Sequence, residues 1–171
     1  YYDIEVEDDV MAYFEYDNGT TGEYITSTGE APGTNRLEIA CDMGKIVVEN
    51  NKINFTKNAV SEREFNMTNT KPFGCPENSL QEIETDSSDI EQHSEVLKAF
   101  AAAILHGGEL TARGEEGLNG LTISNSIHLS AWTGEIIDVK NFPHERFYRL
   151  LTEHINSSKP KKNIKKVISE I

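Results

Sequence analysis

Apolar and polar residues alternate along residues 10 to 16, with Val10, Ala12, Phe14 and Tyr16 on one side. Asp17-Asn18-Gly19 follows, and then a second extended run through Tyr24 and Thr26. This predicts a β-hairpin. After the loop GEAPGT, Leu37, Ile39 and Cys41 alternate with Arg36, Glu38 and Ala40, a third strand. Asp42-Met43-Gly44 turns into Lys45 to Glu49, and Asn50-Asn51 turns into Lys52 to Thr56. Alternation in Glu62 to Met67 predicts one more strand. Connections this short cannot cross over, so the expectation is an antiparallel meander of about six strands in one sheet.

Residues 69 to 88 are rich in Pro, Gly and polar side chains without a period, which predicts a long loop of the kind that often lines a pocket. Helical periodicity begins afterwards. Ser88-Asp89-Ile90-Glu91 fits a capping box, Val96, Leu97, Phe100 and Ile104 form an apolar stripe, and Gly107-Gly108 ends it. Leu118, Leu121, Leu129 and Trp132 mark a second helix over about 116 to 133. Ile136 to Val139 reads as a short strand, and His144 to Ile155 as a third helix after Pro143. Strands first and helices later predict an α+β domain, an open and mostly antiparallel sheet with helices packed on one face.

Charge divides the chain. Acidic residues number 29 against 16 basic ones, a formal charge of -13 that repels a phosphate backbone and argues against a nucleic-acid partner. Residues 156–171 nevertheless carry five lysines against one glutamate, and Ile164, Val167, Ile168 and Ile171 fall at i, i+3, i+4 and i+7. We therefore divide the chain into a domain over 1–155 and a basic tail over 156–171 with the spacing of a short docking helix. No apolar run reaches the ~20 residues that span a bilayer, so no membrane partner is expected. Four N-x-S/T sequons, at Asn18, Asn54, Asn66 and Asn156, are weak evidence for secretion. Two cysteines, Cys41 and Cys75, read as free thiols in a reducing compartment, and the expected location is cytoplasmic. The opening YYDIEVEDD starts in mid-pattern without an initiator methionine, as expected of a piece of something longer.

Few residues announce chemistry. Gly114, Gly117 and Gly120 follow no clear strand, their spacing is not that of a dinucleotide loop, and Glu115 and Glu116 would repel an anion. Those carboxylates suit the positive end of a helix dipole, and the glycines suit close approach of a neighbouring element. The five histidines and two cysteines show no metal-ligand spacing, and no catalytic or metal-binding residue is assigned.

Recognition starts at Thr28 to Lys45, TGEAPGTNRLEIACDMGK, continues at SEREFNMTNTKPFGCPEN (61 to 78), and returns in HSEVLKAFAAAILHGGEL, ARGEEGLNGLTISNSIHLSAW and TGEIIDV between His93 and Val139. In this order the segments resemble the C-terminal, substrate-side domain of Gfo/Idh/MocA oxidoreductases. The resemblance implies a parent enzyme that oxidises a sugar or polyol with NAD or NADP. Its Rossmann domain and E-K-P lysine are expected outside this chain, because Lys71-Pro72 and Lys159-Pro160 lack the preceding glutamate. It also implies an inactive fragment, a homo-oligomer formed through the open sheet, and a substrate wall. For that wall the candidates are Asn35 and Arg36 in the 29 to 36 loop region, and Lys71 and Phe73 in the 71 to 76 loop. A self-contained binding or assembly module using an open sheet face is the competing reading.

Overall fold

A computed structural model describes residues 6–84 and 92–159. The chain divides into two compact units, the first Tyr1–Ser27 with Ala102–Ile171 and the second Thr28–Ala101. The fold class is as expected, α+β with antiparallel strands. The single sheet is not: the strands form a two-stranded sheet and a four-stranded one.

In the first unit, β1 (Asp9–Glu15) pairs with β2 (Thr21–Ser27), with Ala12 opposite Tyr24. Gly19 takes φ +83°, and the Asn18 side chain accepts the Thr20 amide at 3.0 Å, so Asp17-Asn18-Gly19 makes the turn its composition predicts. α3 (Gly117–Thr133) ends on Gly134 at φ +69°, whose amide donates to the Ser130 carbonyl at 2.7 Å. α4 spans His144–Ser157. Trp132 of α3 stacks on Phe147 of α4, with centroids 5.5 Å apart and planes 8° apart, and Phe142 packs on Phe147 at 5.5 Å. The core lies here: Leu129 is fully buried and Phe142 nearly so. The Arg146 guanidinium grips Glu135 with two bonds of 2.6 and 2.9 Å, tying the start of α4 to the end of α3.

The strand expected at Ile136 to Val139 is absent. A single 3-10 turn, Val139–Asn141, stands there instead. Asp138 is the reason, because its carboxylate takes the Lys140 amide at 3.0 Å and the Asn141 side chain at 2.7 Å, bending the backbone away from a ladder.

In the second unit, β3 (Arg36–Cys41), β4 (Gly44–Glu49), β5 (Lys52–Asn58) and β6 (Asn78–Ile83) lie side by side in that order, all antiparallel. Asn50 and Asn51, at φ 52° and 59°, supply the two left-handed residues that a tight two-residue hairpin needs. β6 falls inside the stretch expected to be loop. NSLQEI is a poor strand by composition, but the open edge of β5 offers a ladder that outweighs propensity.

Glu62 to Met67, expected as a strand, is α1 (Glu62–Thr68). Ser61 caps it by accepting the Glu64 amide at 3.1 Å, and Asp42 accepts the Glu62 and Arg63 amides at 2.9 and 3.0 Å. Satisfied first-turn donors and acidic Glu62 and Glu64 at the positive end outweigh a two-residue alternation. α2 (Gln92–His106) crosses the division between units and ends on Gly107 at φ +71°. The capping box read at Ser88 to Glu91 and most of the basic tail lie outside the described residues.

Candidate functional site

Pairing register sorts the four-stranded sheet into two unlike faces, because side chains two apart share a face. Leu37, Val48, Ile53 and Ile83 form one row across all four strands, and Ile39, Ile46 and Phe55 form the next. Leu37 stays 56% exposed and Ile39 46%, so this apolar face is open to solvent. The opposite face is charged. Arg36 donates to Glu38 at 2.5 Å and to Glu49 at 2.9 Å, Lys45 reaches Glu38 at 3.1 Å, and Lys52 reaches Glu82 at 3.1 Å. Hydrogen bonding from Arg36, then from Lys45, holds the Glu38 carboxyl below its usual pKa, and the Glu38 bond raises Arg36.

The four residues read as substrate contacts all belong to this unit, but not to one corner of it. Arg36 opens β3, with Asn35 just before it, at the end of the sheet where Glu49 and Lys52 pair. Lys71 and Phe73 lie in the loop that enters β6 at Asn78, opposite Asn58, which is the other end and the other edge. The two attachment points are three strand spacings apart, roughly 14 Å, and about 20 Å apart along the strands. The Asn69 side chain braces the loop, accepting the Lys71 amide at 3.0 Å and donating to the Lys71 carbonyl at 2.8 Å. Phe73 projects from it fully exposed, at φ +58°.

Concave space that sequence reasoning missed lies in the other unit. A cavity of about 340 Å³ is walled by Phe14, Tyr16 and Tyr24 of the hairpin region and by Ile123 and Ile127 of α3. A larger groove of about 760 Å³ runs along β1, between it, α3 and residues 136 to 139. The signal for the cavity was present in the alternation of Phe14 and Tyr16, read only as one side of a hairpin strand, and in the i, i+4 pair Ile123 and Ile127, which the helical stripe of Leu118, Leu121, Leu129 and Trp132 left out. Gly117 and Gly120 were expected to admit a close neighbour, but a Cβ on either would meet nothing within 4 Å. Gly120 borders the cavity, so its missing side chain leaves space open.

At one end of the groove the Glu7 carboxylate lies 3.4 Å from His128 Nδ1. The Glu7 backbone amide, the charge of His128 and hydrogen bonds from Trp132 and His128 hold its pKa below the ordinary value, against a smaller opposing effect of burial. Two groove hydroxyls are committed to the backbone: Ser126 donates to the Thr122 carbonyl at 2.8 Å and Ser130 to the Glu135 carbonyl at 2.7 Å. Neither serine hydroxyl is thereby paired with a base. No set of three or more metal-ligating side chains converges among the described residues.

The glycine-bearing segment from Gly114 to Gly120 lacks the setting of a dinucleotide loop. α3 starts after a 3-10 turn, Gly114–Glu116, whose glutamates face an incoming phosphate with like charge, and an irregular segment rather than a strand precedes it. A family model described as an oxidoreductase family, C-terminal alpha/beta domain, matches residues 2–139. No curated protein matches the chain.

Proposed function

We propose, from the premise that this chain belongs to the Gfo/Idh/MocA oxidoreductase family and carries its C-terminal alpha/beta domain, that it is the substrate-side and assembly lobe of an NAD(P)-dependent dehydrogenase acting on a sugar or polyol. The observation that carries this reading is the two-faced sheet, with a charged row beginning at Arg36 on one side and an exposed apolar surface on the other. In this reading the nucleotide and the lysine that works beside it belong to a Rossmann domain outside these residues, and this chain alone is inactive. Hydride chemistry is supplied by that cofactor when bound, and the residues here bind and orient.

Asn35 and Arg36 offer hydrogen-bond donors to sugar hydroxyls, and Lys71 and Phe73 offer an ammonium and an aromatic face from the second loop. Their placement at opposite corners supports two separate contact patches. Glu38 and Glu49 hold the Arg36 guanidinium in one orientation, which lowers the entropy cost of aiming its remaining N–H groups at a ligand. The apolar face supports self-association through the sheet, since a large exposed apolar patch marks an interaction surface.

The test is steady-state kinetics of the full-length enzyme. Arg36→Ala should raise the sugar KM roughly ten-fold with the nucleotide KM unchanged, and the chain alone should give no heat with NAD or NADP. Unchanged sugar kinetics assigns Arg36 to the scaffold, and micromolar dinucleotide binding by the chain alone refutes the division of labour.

A further inference from the structure

The groove along β1 has two features of a docking site for a peptide segment. Among the described residues β1 has a strand neighbour on one side alone, β2, so its other edge carries ladder N–H and C=O groups that no described strand meets. Beside that edge, Ile127, Ile136, Ile137 and Val139 provide an apolar wall, and Ile136 is fully exposed to solvent. The groove is also acidic, with Glu7, Asp9 and Glu15 among its lining residues.

The chain itself carries a segment of matching chemistry. Residues 160–171 hold Lys161, Lys162, Lys165 and Lys166 against a single Glu170, interleaved with Ile164, Val167, Ile168 and Ile171. Their point of departure is close to the groove. His154, in the last turn of α4, lies 4.5 Å from Trp132, and the Trp132 side chain hydrogen-bonds Glu7, which lines the groove. Twelve residues span at most about 40 Å when extended, ample to run the length of a seven-residue strand of ~23 Å.

We propose that the groove between β1, α3 and residues 136–139 is the docking site of this chain's own basic segment, residues 160–171. The lysines meet the Glu7, Asp9 and Glu15 carboxylates, and the four apolar residues cover the wall beside the β1 edge. Docking shields a strand edge that would otherwise template pairing with other chains, and it offsets part of the strong negative charge of the body.

The experiment uses the whole chain with Cys41→Ser and Cys75→Ser, and Ser169→Cys carrying a nitroxide label, read by paramagnetic broadening of backbone amides. Signals of Val10–Phe14 and 136–139 should be lost. They should return in ~1 M salt, where the Debye length falls to about 3 Å, and on reversing the four tail lysines to glutamate. Ile136→Glu, a change at a fully exposed position that leaves the fold intact, should also restore them. Absence of broadening in the groove, or broadening indifferent to salt and to these substitutions, overturns the proposal. Broadening confined to mixtures of labelled and unlabelled copies overturns it too, because the occupant is then a second molecule.

Discussion

Gly44 lies so close to Thr56 that a Cβ added to it would stand 2.0 Å from the Thr56 carbonyl oxygen. With φ +143°, Gly44 also holds a backbone conformation that side chains rarely adopt. Contact and conformation act together where β4 begins and pairs with the end of β5. Gly44→Ala should therefore cost at least about 2 kcal/mol, read as a lowered midpoint in urea denaturation. A loss below about 0.5 kcal/mol would mean that the two strands part without penalty.

Leu129 is the one large side chain fully buried among the described residues, and it sits in α3 three residues before Trp132, which stacks on Phe147. Leu129→Ala should destabilise by about 2 to 5 kcal/mol, depending on how far the site collapses. Trp132 is the single tryptophan, so its fluorescence reports on this cluster directly, and its emission should shift to the red before global unfolding.

Glu7 predicts a dependence on pH. Its folded pKa is lowered, chiefly by its own backbone amide and by His128. The stability it contributes is therefore present above the unfolded value of about 4.3 and is lost as pH falls through the lower folded value. Glu7→Gln should lower Tm relative to wild type at pH 6, and the gap should close as pH drops below about 4.3. A gap that is constant between pH 6 and 3 would assign the effect of Glu7 to packing.

The open apolar face predicts association. Ile39→Lys places a charge in the Ile39–Ile46–Phe55 row on an edge strand, at a position already half exposed. Sedimentation should show wild type self-associating as concentration rises and the variant remaining monomeric, with a change in stability of less than about 1 kcal/mol. Equal association of both proteins would place the interface elsewhere.

Elements that follow from local chemistry were legible in the residues alone. Asp17-Asn18-Gly19 and Asn50-Asn51 announce their hairpins, and Gly107 and Gly134 end the helices as glycine in a left-handed conformation should. The family was equally legible, since ordered motifs survive in the chain from Thr28 to Val139. Tertiary structure decided the elements in which two local rules compete. Glu62 to Met67 alternates like a strand, but the Ser61 cap and the Asp42 oxygens satisfy a helix start there. Asn78–Ile83 looks like loop, yet the edge of β5 recruits it as a strand. Register also sets Arg36 and the Lys71–Phe73 loop at opposite corners of one sheet, and the β1 groove needs α3 beside the hairpin to exist at all. Caps and turns depend on neighbours a few residues away, which a sequence displays directly. Edges, faces and grooves depend on partners tens of residues distant, and only the folded chain brings those into contact.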